Sequence, residues 1–108
     1  MHPPPFRSQL RVVDGVARIE LAGELDIATV PEVERALEDA LSAGCRRLVV
    51  DLRNLAFMDS SGLVLLTRWD LGARRDGYDL ALIRGGEPID RLFKLAGLDD
   101  QFAFDEPG

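Results

Sequence analysis

The run Phe57-Met58-Asp59-Ser60-Ser61-Gly62-Leu63 places two hydroxyls directly after a carboxylate, where an apolar strand gives way to an apolar helix. A helix start carries unpaired backbone N–H groups and partial positive charge, so a serine there either caps the helix or receives a phosphate. Ser60 is therefore a structural cap or a switchable one, with Ser61 the alternative acceptor. One cap needs one side chain, yet Asp59, Ser60 and Ser61 offer three in succession. Gly62 costs the first helical turn up to roughly 1 kcal/mol relative to alanine, a penalty that fits a backbone another molecule must approach closely.

Other chemistries lack their parts. The one histidine, His2, sits in the start Met1-His2-Pro3-Pro4-Pro5, and the turn is not Gly-x-Ser-x-Gly, so a serine nucleophile has neither base nor elbow. Without paired His or Cys the scattered carboxylates read as solvated surface, which argues against a metal, and no Gly-x-x-x-x-Gly-Lys-Ser/Thr loop exists to hold a nucleotide. No cofactor is expected. Asp51, at a strand end, raises the alternative of a response-regulator receiver. Receivers carry an acidic pair after their first strand and a lysine after their last, whereas the first strand here ends Val12-Val13-Asp14-Gly15 and Lys94 falls on a helix.

The 108 residues, 46% of them apolar, suit one core and leave no room for a second. A net charge of −6 argues against a nucleic-acid partner, because that affinity rests on Lys and Arg neutralising phosphates. No apolar run approaches the ~20 residues of a membrane span, and the first five residues lack the apolar centre of a signal peptide, so no membrane association and a cytoplasmic location are expected. Cys45 is the only cysteine, which excludes an internal disulfide and marks a small core residue.

The elements that must position the turn follow from periodicity. Residues 6–13 and 16–22 alternate around Asp14-Gly15 as an antiparallel hairpin. Gly23-Glu24-Leu25-Asp26 breaks the second strand, and Thr29-Val30-Pro31-Glu32 has capping-box form with threonine as cap. Val33, Leu37, Ala40 and Leu41 give that helix one apolar side, and Gly44 stops it. Leu48-Val49-Val50-Asp51-Leu52 reads as a central parallel strand buried on both faces, followed by a connection over 53–58. A helix from Ser60 to Gly77 bears Leu63 and Trp69, each a core residue or a partner contact. A strand over 79–84, a helix from Pro88 to Gly97, and a tail whose phenylalanines dock on the body complete the chain. The order gives an α/β domain in which an N-terminal β-hairpin feeds a small mixed sheet with crossover helices. Residues 1–5 are expected to be disordered, 6–105 to form the domain and 106–108 to fray. Sites in such sheets form at strand C-terminal ends, so the loops at 23–26 and 59–62 should be neighbours.

Gly23-Glu24-Leu25-Asp26, Asp51-Leu52, the Asp59-Ser60-Ser61-Gly62 turn with its flanks, and Leu95-Ala96-Gly97-Leu98-Asp99 span nearly the whole ordered chain. In this pattern the chain resembles the anti-sigma factor antagonists of bacteria, small proteins that are single STAS domains. The resemblance implies a STAS-like fold and a partner switch. The unphosphorylated protein binds an anti-sigma factor serine kinase and frees sigma, phosphorylation of the serine after the aspartate dissolves that complex, and a serine phosphatase restores it. By this resemblance Ser60 is the acceptor, Asp26, Asp59, Ser61 and Gly62 surround it and contribute to partner binding, and ATP belongs to the kinase. A phosphate at the helix start would be held by backbone N–H groups and leave the fold unchanged. A STAS scaffold or transport-associated subunit without sigma control is the alternative, and the oligomeric state is open.

Overall fold

Asp14 and Gly15 both adopt left-handed backbone, φ 53° and 77°, which matches the right-handed twist of paired strands and closes a tight hairpin between β1 (Arg7–Val13) and β2 (Val16–Leu25). The computed structural model describes residues 5–106; residues 1–4 and 107–108, which make up most of the two expected flexible ends, lie outside the described residues. From β2 the chain crosses through α1 (Val30–Ser42) to β3 (Arg47–Met58), through α2 (Ser60–Asp76) to β4 (Asp79–Ile83), and through α3 (Glu87–Leu95) to the short β5 (Ala103–Phe104). Among the described residues the strands form one sheet in the order β1-β2-β3-β4-β5, antiparallel at the hairpin and parallel thereafter.

Alternation along the strands sends Ala17, Ile19, Leu21, Leu48, Val50, Leu52, Leu80 and Leu82 to one side, where Val33, Leu37 and Ala40 of α1, Leu65 and Leu66 of α2, and Ile89 and Phe93 of α3 meet them in a single cluster. The reverse face carries Val49, Asp51, Ala81 and Ile83, all buried. The central strand is thus buried on both faces, as its apolar run implies. On the reverse side Arg18 and Arg53 converge on Asp51.

Three local expectations are corrected. Residues 53–58 are not a connection: β3 continues to Met58 and keeps pairing with β2, whose strand likewise runs through Gly23 and Glu24 to Leu25. Two register shifts permit this, because β3 spends an extra residue between Asp51 and Asn54 and another between Leu55 and Phe57. Such bulges bend a strand and blur its two-residue alternation, which is why the sequence reads there as loop. Thr29 sits at the start of α1 but its side chain makes no capping hydrogen bond. Its hydroxyl instead accepts from the Asp26 N–H and donates to the Glu24 carbonyl, each at 2.9 Å. The tail does dock: Phe102 and Phe104 pack edge-on against Phe93 with ring centroids 5.5 and 5.8 Å away, and 103–104 adds a fifth strand.

Candidate functional site

The bulged end of β3 brings Met58 opposite Leu25, the last residue of β2, and the Asp59 N–H donates to the Leu25 carbonyl at 3.2 Å. The turns that follow the two strands are therefore held side by side, as expected for crossover loops. In the first, the Asp26 carboxylate accepts from the Ala28 and Thr29 N–H groups at 3.0 and 3.2 Å, and its carbonyl accepts from Val30 at 2.9 Å. Asp26 thus folds its own loop, with Thr29 locking it from the other side.

In the second turn the cap is Asp59. Its backbone is extended, φ −108° and ψ −171°, and its carboxylate accepts from the Ser61 N–H at 2.9 Å while its carbonyl accepts from Gly62 at 3.1 Å. Asp59 takes the capping role, Ser60 is the first helical residue, and its exposed side chain has no hydrogen-bond partner among the described residues. Ser61 is half-buried. Asp59 thus engages two first-turn donors, the Ser61 N–H through its side chain and the Gly62 N–H through its carbonyl, directly beside Ser60.

Gly62 is buried, and the close approach that requires glycine comes from inside the molecule. A methyl group there would lie 2.6 Å from Met58 Cγ, 2.8 Å from its sulfur and 3.0 Å from Leu25 Cδ2. Gly62 lets α2 sit down on the ends of β2 and β3, which fixes where Ser60 emerges. Leu63 is buried in the core, whereas Trp69 is half-buried beside Tyr78, whose hydroxyl donates to the Trp69 carbonyl at 3.1 Å. The large apolar side chains exposed around the turn are Ile27 (79%), Phe57 (48%) and Val64 (56%), none singled out by periodicity. No ion pair among the described residues involves Asp26 or Asp59, both half-buried, whose carboxylates accept instead from backbone N–H groups of their own turns.

Asp51 is buried, 3% exposed, and fully engaged. Arg53 grips it with Nη2 to Oδ2 at 2.8 Å and Nε to Oδ1 at 3.0 Å, the Arg53 N–H adds a bond at 3.0 Å, and Arg18 approaches at 3.3 Å. Burial alone would raise its pKa, but the Arg53 side-chain and backbone hydrogen bonds, the Arg53 charge and Arg18 outweigh it and hold the carboxyl below its usual value. A carboxylate tied up in this way is no phosphoacceptor, which removes the receiver reading on geometric grounds. Asp70 is a second buried carboxylate absent from the sequence reading; Arg74 lies 3.1 Å away and Gln101 donates to it at 3.4 Å, linking α2 to the tail. The signal for Asp51 was an Arg two positions on, since residues i and i+2 share one face of a strand.

The family model described as "Mlab, STAS domain" matches residues 8–104. The anti-sigma-B factor antagonists of Staphylococcus aureus and Staphylococcus epidermidis are each 34% identical over 87 residues, 81% of this chain and 81% of theirs. Among solved structures, an anti-sigma factor antagonist from Mycobacterium paratuberculosis is 26% identical, with TM-score 0.74 over 96% of this chain and 87% of its own. SpoIIAA, 23% identical, shares the fold in both its unphosphorylated form (TM-score 0.79, 94% and 89% covered) and its phosphorylated form from Bacillus (0.73, 94% and 92%). With its hairpin, crossover helices and capped turn accounted for from the residues upward, the chain belongs to the STAS domain family.

Proposed function

We propose that this chain is an anti-sigma factor antagonist: unmodified, it binds an anti-sigma factor serine kinase and releases a sigma factor, and phosphorylation of Ser60 ends that complex until a serine phosphatase reverses it. The observation that carries the reading is the division of labour at the turn, where Asp59 caps α2 and leaves the Ser60 hydroxyl exposed. The staphylococcal relatives named as anti-sigma-B factor antagonists supply the partner class. Asp26, Asp59 and Ser61 form the polar surround, Gly62 sets its position from beneath, and Ile27, Phe57 and Val64 offer apolar contact area. The work takes place in the cytoplasm. No helix among the described residues is long and apolar enough to cross a membrane.

A phosphoryl group adds about −1.5 to −2 charge. Placed beside Asp59 and near Asp26, it opposes docking through repulsion and through the desolvation of an imperfectly paired anion. Weakening binding from nanomolar to micromolar takes about 4 kcal/mol, within reach of one such buried charge. No refolding is required, in keeping with SpoIIAA, whose two forms both share this fold.

The test is incubation with the cognate kinase and ATP, read by intact mass. Single labelling that Ser60→Ala abolishes, with complex formation preserved, is the expected result; undiminished labelling in that variant refutes the site. Asp26→Asn retains the Oδ1 acceptor that folds its loop, so a variant that is labelled and binds normally removes the carboxylate's role. The family model's description leaves room for the second reading, a scaffold or transport-associated subunit. Copurified partners separate the two: a histidine-kinase-like ATPase domain supports sigma control, and transport components support the other.

A further inference from the structure

The Asp14-Gly15 hairpin fixes which backbone groups of β1 are spoken for. In a two-residue hairpin the flanking pair, Val13 and Val16, exchanges hydrogen bonds, and hydrogen-bonded and non-bonded pairs alternate from there. The register then makes Arg11↔Arg18, Gln9↔Glu20 and Arg7↔Ala22 bonded pairs. Ser8, Leu10 and Val12 consequently aim their N–H and C=O groups away from β2. β1 is an edge strand of the sheet, so these six groups meet no strand among the described residues.

We propose that β1 is a self-association edge: two copies of this chain pair β1 with β1 in antiparallel, Leu10 lying on the twofold axis and the two sheets becoming one. This register alone sets all three outward-facing residues in bonded pairs, Leu10 against Leu10 and Ser8 against Val12 of the second copy. A twofold interface must be self-complementary, and this edge is. On the helix-free face Arg7 falls opposite Val13 and Arg11 opposite Gln9, so no arginine faces another directly. Arg11 also has Glu20 at 3.8 Å. On the helix side, the half-buried Leu10 and the exposed Val12 bring apolar surface. Beside them, Ser8 and Leu10 line a groove with Glu32, Arg35, Ala36 and Asp39 of α1. Its mixed charges let Arg35 of each copy answer carboxylates of the other. Exposed edge strands are commonly blunted by cations placed so as to clash, and these two arginines are not so placed. Ser60 follows β3, two strands in from the edge, so each copy keeps its turn accessible.

The test uses the full chain. Sedimentation equilibrium from about 1 μM to 1 mM should show the mass rise from 11.9 kDa toward twice that value, with the amides of Ser8, Leu10 and Val12 gaining protection from hydrogen exchange in step. Val12→Lys puts a charge into the pairing strip at an exposed position and should weaken the dimer about tenfold or more without moving the melting temperature of the monomer, read at about 1 μM. Leu71→Lys, on the exposed side of α2, should not weaken it. Bonded antiparallel pairs hold their Cα atoms about 5.5 Å apart, inside the disulfide range, so Leu10→Cys should oxidise to a covalent dimer. Val13→Cys should not, since its counterpart lies six residues away, roughly 20 Å. A monomer throughout the series, or a dimer that Val13→Cys captures as readily as Leu10→Cys, overturns the proposal.

Discussion

Replacing Asp59 separates two jobs that its position combines. Asp59→Ala deletes the acceptor of the Ser61 N–H, a 2.9 Å bond at the start of a helix whose first turn contains no other acidic residue. Loss of an N-cap acceptor costs about 1 kcal/mol, and loss of negative charge at the positive end of the helix dipole adds roughly 0.3–1 kcal/mol. Together these should lower the melting temperature by roughly 5–12 °C for a domain of this size. Asp59→Asn keeps an oxygen in the same place and gives up only the charge, so it should lose less than about 1 kcal/mol. Urea unfolding followed by circular dichroism is the assay, with a shifted midpoint at constant slope reporting stability alone. Ser60→Ala belongs in the same series and should stay within about 0.5 kcal/mol of the parent, because its hydroxyl supports nothing in the fold. The reasoning fails if Asp59→Asn is as damaging as Asp59→Ala. It fails equally if Ser60→Ala matches Asp59→Ala, since the serine would then be the cap.

Asp51→Asn leaves Arg18 and Arg53 without their shared anion and should cost about 2–3 kcal/mol near neutrality, measured by the urea midpoint. The Asp51 carboxyl is held below its unfolded value, so its contribution is complete above about pH 4 and fades as pH falls through the depressed folded value. The gap between parent and variant should therefore narrow at pH 2.5. Gly62→Ala gains up to about 1 kcal/mol of helix propensity but forces a methyl into Met58, a strain of roughly 1–3 kcal/mol. A double-mutant cycle with Met58→Ala should recover part of that loss through positive coupling. Gly23→Ala meets both a left-handed φ of 93° and the Phe6 backbone 2.8 Å away, and should destabilise by about 2 kcal/mol in the same measurement.

The hairpin, the buried central strand and the three helices were legible because each depends on local chemistry or on a pattern that its own residues carry. The strand-to-helix turn was legible for the same reason, down to the adjacency of the loops after β2 and β3. What was illegible depended on neighbours distant in sequence. Gly62 looked like room for a visitor until Met58 and Leu25 were seen filling it. Thr29 had the form of a cap, but the loop made by Asp26 offered its hydroxyl better partners. Residues 53–58 lose their alternation to two bulges, so a strand that positions the whole site carries the sequence pattern of a connection. The Arg18–Asp51 contact was illegible because it joins residues 33 positions apart on different strands, whereas Arg53, two positions from Asp51, was the one local sign of the pairing.

The central claim is that negative charge added at one exposed hydroxyl decides who stays bound. Its most direct test is calorimetric titration of the anti-sigma partner with the unmodified chain and with the chain singly phosphorylated at Ser60. The account predicts affinity falling by about a thousandfold while the circular dichroism spectrum and urea midpoint of the chain stay put. Equal affinities for the two forms would contradict it, as would a loss of binding accompanied by unfolding of the domain.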